Sequence, residues 1–491
     1  MSDIIIIGAG VSGLSAGIYA RLLGHRVILL EKNSVAGGNL TGWDRGEYHI
    51  DNCIHWLTGT NPKSSYYKIW QTLGALGSTE IYRPESLYTC TLGRESISLY
   101  RDLEKLRGKM LFISPADNVE IESFISAVRC MQNIEGIGKG NIFSEITKFP
   151  SLLKYYTLTA SELAGKFTSP LLRLFFSSFL TEDFGALGII YVFASFTGEN
   201  ADIPRGGSYL MAERIKERFI SLGGELRLSS CVKTINIKDG MARSVVLSSG
   251  EELSSDYVIS TVDPRVLFGG LCELKMPRGL KKRYENKRLM RFSSFQTAFV
   301  TSAKRLSFSG ELIFELPEKY RTKLSSKYIA VREFSHEESF SPEGTTVIQT
   351  MCFLDEVSSR AFLDLHSKKE AYVRRKEYLA ELVNSALSEK LPELSGRLSY
   401  IDSWTPATYH RYTGSEIGSY MSFAFSSCYL PTTLSSRVKG AKNLILATQW
   451  QRSPGGLPVA ADLGRRAVKI IDAREKARKP AVKERKLTAE A

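Results

Sequence analysis

No apolar run in this sequence is long and charge-free enough to cross a bilayer. The first apolar stretch, Ile4 to Ile7, ends at Gly8 and is too short for the core of a signal peptide. Cysteine is sparse: Cys53, Cys90, Cys130, Cys231, Cys272, Cys352 and Cys428 are scattered and form no CxxC pair. That argues against a zinc site or a disulfide framework and fits isolated thiols in a reducing compartment. The chain has six histidines, but no HExxH, no Ser/His/Asp spacing and no paired-carboxylate motif. Zinc and hydrolytic chemistry are therefore unsupported, and no metal is expected. There is no internal repeat. These absences predict a protein that starts soluble and is cytoplasmic.

What the chain does have is length and core material. At 491 residues it exceeds one ordinary domain, and 43% hydrophobic residues with 24% charged ones exclude a disordered or collagen-like chain. Its 65 Lys/Arg outweigh 52 Asp/Glu, a net charge of +13. The residues after Asp472 contribute part of that excess, but it is broad enough to suit an anionic partner such as a lipid surface. No nucleic-acid motif accompanies it, and no nucleic-acid partner is expected.

The N-terminus reads as strand, tight turn, helix and parallel strand. Asp3 to Ile7 is a continuous β-branched run, as a strand buried on both faces should be. Gly8-Ala-Gly-Val-Ser-Gly13 follows, then helix formers from Leu14 to Leu23 with a stop at Gly24, then a second buried strand from Arg26 to Glu31. In that context G-x-G-x-x-G marks a dinucleotide site. Gly8 permits the tight turn, Gly10 admits a pyrophosphate against the backbone, and Gly13 lets the helix sit close to the sheet. Glu31 is placed to accept a hydrogen bond from a ribose hydroxyl. A second glycine pair, Gly37-Gly38, comes soon after that acid. This favours FAD over NAD, because the chain must approach an extended FAD twice.

Further strands are expected at Glu225 to Leu228, Val232 to Ile237, Ala242 to Leu247, Tyr257 to Thr261 and Asn443 to Ala447, with helices at Tyr209 to Leu222 and Val459 to Ala473. Strand-like runs at Ser294 to Thr301 and Thr346 to Phe353 and a helix from Lys368 to Leu387 belong to less regular insertions.

These motifs together resemble the phytoene desaturase, carotenoid isomerase and retinol saturase branch of FAD-dependent oxidoreductases. The likeness is carried by Gly8 to Gly13, Glu31-Lys32, Gly37-Gly38, Asp51 to Gly59, Ile203 to Gly207, Gly223 to Glu225, Asp256 to Ser260, Trp404 to Pro406, Tyr409 to Gly418 and Pro454 to Pro458. The resemblance implies an α/β architecture: a Rossmann-like FAD-binding domain of the GR2/amine-oxidase type, interleaved with a mixed α+β substrate domain. Residues 1–75, 200–275 and 400–473 would form the first, residues 76–199 and 276–399 the second, and residues 474–491 a basic, disordered tail. It implies FAD held by Gly8, Gly10, Gly13, Glu31, Lys32, Gly38, Asn39, Val232, Gly455, Gly456, Leu457 and Pro458, with Val232 at the adenine and Gly455 to Pro458 starting a helix beneath the isoalloxazine.

The activity implied is oxidoreduction at CH–CH bonds of a lipophilic, isoprenoid or polyene substrate: desaturation, saturation or redox-neutral isomerisation. A flavin amine oxidase and a membrane-surface lipid-binding flavoprotein with structural FAD are the rival readings. The catalytic candidates are His55, Tyr412 and Arg452. His55 would donate a proton, the alternative being a hydrogen-bonded core histidine. Tyr409 to Tyr412 would line the substrate mouth, or merely pack. Arg452 stands where the desaturases usually carry His, and a cation there would stabilise reduced flavin. Finally, Arg278 to Arg291 holds seven Lys/Arg against Glu285, with Leu280, Tyr284, Leu289 and Met290 among them. That segment either is a solvated helix face, the commoner arrangement, or presses a basic, partly apolar face onto anionic lipid, which would make the protein peripheral on the inner face of the membrane.

Overall fold

A computed structural model describes residues 1–134, 149–303, 305–424, 427 and 432–478. Its centre is a six-stranded sheet in the order Glu225–Arg227, Arg26–Leu30, Asp3–Ile7, Tyr257–Ser260, Ala441–Leu446, Arg437–Val438. The first five strands run parallel, and the last folds back antiparallel. Asp3–Ile7 lies in the middle, which explains its unbroken run of isoleucines: both faces are covered. The strands come from three separated stretches of chain, as expected for a doubly wound sheet with long insertions.

Two helices cross beneath this sheet. Val11–Leu22 follows the glycine turn, and Leu457–Arg478 packs on it through Gly464, where a Cβ would lie 2.2 Å from the Ser12 carbonyl. Ser15 Oγ donates to the Ala461 carbonyl at 2.7 Å across the same contact. Val232–Lys238, Met241–Leu247 and Glu252–Ser254 form a separate antiparallel meander. Asp239 and Gly240 both take positive φ between the first two, as the expected hairpin turn requires.

A seven-stranded sheet forms the second layer system: Leu398–Trp404, Ser293–Thr301, Thr346–Leu354, Tyr328–Glu333, Glu311–Glu315, Ser86–Leu92, Glu95–Tyr100. All neighbours are antiparallel except Glu311–Glu315 with Ser86–Leu92. Helices between 103 and 197 cover one face, where Ile313 packs with Phe124, Phe176 and Phe193. Helix Lys369–Lys390 covers the other, where Leu312 and Phe314 pack with Val383 and Leu387. The alternation of Leu312, Ile313 and Phe314 between the two cores is the period of two of a sandwiched strand.

Three expectations change. The boundary expected at residue 400 falls inside strand Leu398–Trp404 of the seven-stranded sheet. The last helix runs on to Arg478 rather than ending at Ala473; residues 479–491 of the basic tail, and Cys428, lie outside the described residues. The Arg278 to Arg291 segment loses its apolar half as a lipid contact: Leu280 and Leu289 are buried, and Tyr284 stacks on Trp450 at 5.3 Å. Two of its cations are structural. Arg283 Nη1 donates to the Gln451 carbonyl at 2.9 Å, and buried Arg291 pairs with Glu356 at 2.8 Å and Glu416 at 2.5 Å. Among the described residues no helix is long and apolar enough to cross a membrane.

Candidate active site

A single long cavity of about 480 Å³ runs from the carboxyl ends of the parallel strands into the seven-stranded layer. Gly8, Gly10, Glu31, Lys32, Gly38, Asn39, Val232, Gly455, Gly456, Leu457 and Pro458 all line it. The two glycine runs touch: Gly37 N donates to the Ala9 carbonyl at 2.8 Å, and a Cβ on Gly38 would stand 3.2 Å from Gly10 Cα. Both helices aim their N-termini here, so free N–H groups and positive partial charge converge on one region.

The glycines divide by role. Gly8 has φ +97° and Gly13 has no room, since its Cβ would lie 1.9 Å from the Gly8 carbonyl. Gly13 therefore shapes the turn and is not itself in the cavity wall, a correction to its place among the cofactor contacts. Gly10 differs. Its φ is −71°, which any residue adopts, and a Cβ there would meet nothing nearer than 3.9 Å. The chain's own packing does not demand glycine at this position; the demand comes from the space beside it. That is the fit expected of a pyrophosphate lying against the backbone.

Glu31 is buried and held from both sides: Ala9 N donates to Oε2 at 2.8 Å, and Asn33 N and Nδ2 donate to Oε1 at 3.0 and 2.7 Å. The carboxylate thus ties the second strand to the glycine turn while still facing the cavity. Ser230 N donates to the Glu31 carbonyl at 2.7 Å, which brings Val232 alongside. Lys32 Nζ donates to the Arg411 carbonyl at 2.7 Å, and burial pulls its pKa below the usual lysine range. Asn39 is oriented by the Tyr420 carbonyl at 3.1 Å. At the far end Gln449 Oε1 accepts from Gly456 N at 3.0 Å and fixes the glycine pair at the head of the last helix.

The catalytic candidates separate. Tyr412 is 44% exposed, and its carbonyl accepts from Asn33 Nδ2 at 3.0 Å, so it belongs to the Glu31 end rather than to a reaction centre. Tyr409 is buried instead, its hydroxyl shared with Gln296, Asn52 and Trp404 at 2.7, 3.1 and 3.1 Å. Arg452 lines the cavity but is neither a free cation nor at the surface: its side chain is buried and its Nη2 donates to Asp462 Oδ2 at 2.6 Å. His55 lies in the wall of the cavity with Nδ1 2.6 Å from Glu311 Oε2. Burial pushes the Glu311 carboxyl up, but His55 and Arg332 outweigh it and hold it below the usual carboxylate range.

Sequence reasoning missed Glu311 and the walls of the inner chamber. Those walls are Trp56, Phe179, Phe184, Leu187, Phe292 and Phe353, all from the core on the Ile313 side of the seven-stranded sheet. Their hydrophobicity was visible, but nothing local distinguishes a cavity-facing phenylalanine from one packed in a core.

Known proteins bear on this geometry. Residues 11–471 match the model of the family described as flavin-containing amine oxidoreductase. The chain belongs to that family, and it is an FAD-dependent oxidoreductase. A chloroplastic prolycopene isomerase of Daucus carota is 23% identical over 459 residues, covering 85% of this chain and 71% of that one. A phytoene desaturase of Fusarium fujikuroi is 29% identical over 294 residues, covering 54% of this chain and 50% of that one. Among solved structures, an oxidoreductase from Methanosarcina mazei superposes with TM-score 0.60 at 15% identity, covering 96% of this chain and 100% of its own. Putrescine oxidase bound to putrescine gives 0.58 at 15%, covering 96% and 99%.

Proposed function

We propose that the protein carries out oxidoreduction or redox-neutral isomerisation at CH–CH bonds of a lipophilic isoprenoid or polyene. The observation that carries this reading is the continuity of the glycine-lined groove with a chamber walled by Trp56, Phe179, Phe184, Leu187, Phe292 and Phe353. Such walls bind apolar chains through burial, at about 25 cal/mol per Å², and exclude water from the reacting bond. When bound, FAD supplies a two-electron acceptor and donor. Gly8, Gly10, Glu31 and Val232 would hold its nucleotide half, and Gly455 to Pro458 would cap the ring from the last helix. Relatives named prolycopene isomerase and phytoene desaturase support the substrate class.

The fold is shared with putrescine oxidase, so amine oxidation is the rival. Two carboxylates line the cavity among the described residues, Glu31 and Glu311. Both are engaged, one by Ala9 and Asn33 and the other by His55. Glu31 lies at the nucleotide end and Glu311 is paired with His55, so among the described residues the inner chamber offers no unpaired carboxylate to a substrate ammonium, which favours the apolar reading.

The test mixes the FAD-loaded protein anaerobically with phytoene or prolycopene in liposomes, and separately with putrescine. Changed polyene spectra and products with phytoene or prolycopene, and no flavin bleaching by putrescine, are expected. Bleaching by the amine alone would overturn the reading.

A further inference from the structure

His55 and Glu311 stand between two cavities. Both residues line the main chamber, and both also line a second, separate cavity of about 20 Å³. That volume holds about one water. Its walls include Tyr82, Ser86, Gly310 and His336, all four of them half-buried. His55 is half-buried, and its carboxylate partner Glu311 is buried, so the pair faces the chamber on one side and the small cavity on the other.

We propose that His55 and Glu311 form a proton-exchange pair for chemistry in the chamber, with the small cavity as its link to solvent. Glu311 sits on strand Glu311–Glu315 and meets His55 Nδ1, which fixes the tautomer and leaves Nε2 as the exchanging atom. Glu311 is thus a positioning residue and His55 the group that moves the proton. In a desaturation one carbon gives up a hydride to FAD and its neighbour a proton. The electron pair of the second C–H bond becomes the new double bond, and His55 takes the proton; saturation returns it. The carboxylate then offsets the charge of the protonated ring.

The other groups facing the pair suit this division. Arg332 Nη2 donates to the Ile54 carbonyl at 2.6 Å and lends positive charge to Glu311. The Cys53 thiol, pushed up to about 12 by burial, stays protonated, while Asp51 is bound by Cys53 N and Ser208 N. His336, stacked on Tyr82 at 4.5 Å, is pulled down to about 4 by burial and Arg332, so it stays neutral at neutral pH.

The inference rests on the bound FAD of the preceding reading but not on its substrate, and the test uses no substrate. The two-electron flavin potential of the holoenzyme is measured from pH 5 to 9. A proton taken up by His55 as the flavin gains electrons adds about 30 mV per pH unit to the slope. That component disappears in His55→Gln, moves to lower pH in Glu311→Gln and returns in Glu311→Asp. Ser86→Phe, which fills the small cavity, slows the flavin's absorbance response to a pH jump tenfold or more. Imidazole ¹⁵N spectra of the unsubstituted protein give an independent reading: one of the six histidines must change protonation on flavin reduction. A slope unchanged in His55→Gln, or no histidine responding to reduction, overturns the pair; an unchanged rate in Ser86→Phe overturns the link to solvent.

Discussion

Arg452 Nη2 and Asp462 Oδ2 lie 2.6 Å apart, and both side chains are almost fully buried. Arg465 and Arg466 reach the same carboxylate at 2.6 and 2.7 Å. Burial pushes the Asp462 carboxyl up, but the hydrogen bonds and charges of the arginines win and lower its pKa. The residue expected to act as a lone cation beside the flavin is therefore part of a shared ion pair that pins the loop before Gly455 to the last helix. Removing one partner of a buried pair costs roughly 3–5 kcal/mol, because the other charge is left uncompensated. Asp462→Ala is expected to lose about that much by chemical denaturation. A lowered carboxylate pKa gives stability present above its unfolded value of about 3.9 and lost as pH falls through the folded value. The gap between wild type and variant therefore narrows on acidification; a gap that is constant with pH would contradict the pairing.

Gly10→Ala and Gly13→Ala should part company. At Gly10 the backbone is ordinary and the added Cβ has 3.9 Å of clearance, so the apoprotein keeps its melting temperature while FAD content falls sharply. At Gly13 the Cβ would lie 1.9 Å from the Gly8 carbonyl, so the turn itself must move. That variant is expected to lose several degrees of apoprotein Tm as well as FAD. Equal apoprotein stability with equal FAD loss in both would show that the two glycines are not divided as the geometry has it.

The nucleotide half of the site was legible because its signals are local. A strand, a turn, a helix and an acid within the first 31 residues make contacts that the chain must satisfy nearby, and Gly8, Gly10 and Glu31 line the cavity. The chamber was not legible, because it is assembled from distant pieces. His55 and Glu311 are 256 positions apart, and Trp56, Phe179, Phe292 and Phe353 come from separate elements. The one local hint was an acid opening the otherwise apolar strand Glu311–Glu315, where a buried charge needs a partner. Arg452 lines the cavity, but its pairing with Asp462, ten residues on, was not legible, because the sequence leaves open the geometry of the helix start between them.

Asp263 gives a pH signature of the opposite sign. It caps the turn at Pro264, accepting from Arg265 N at 2.8 Å and from the Tyr284 hydroxyl at 2.9 Å. Burial nevertheless pushes its carboxyl up to about 6. A folded pKa above the unfolded one means stability fully present below about pH 3.9 and lost as pH rises through about 6. Asp263→Asn keeps the acceptor oxygen without the charge. Its stability relative to wild type should rise by about 1–2 kcal/mol between pH 5 and pH 8. Urea titrations at the two pH values measure this, and a difference that does not grow with pH would place Asp263 in a wetter setting.

Arg278, Lys281, Lys282, Lys287 and Arg288 are the exposed cations of the Arg278 to Arg291 segment, while Arg283 and Arg291 are buried and bound. Because Leu280 and Leu289 point into the protein, attachment to a membrane at this face would be electrostatic rather than insertive. Each basic group near an anionic surface contributes about 1 kcal/mol, and the attraction fades over a Debye length of about 8 Å at physiological salt. Weak binding to phosphatidylserine-containing vesicles is expected, with none to neutral vesicles and little at 1 M salt, where screening shortens to about 3 Å. Reversing Lys281, Lys282, Lys287 and Arg288 together to Glu should cut vesicle partitioning by about tenfold or more while leaving FAD content and Tm unchanged. Reversing Arg283 or Arg291 should instead destabilise the fold, since each is itself buried and tied to a partner. Binding that ignores salt and lipid charge, or survives the fourfold reversal, would remove this segment as the docking face.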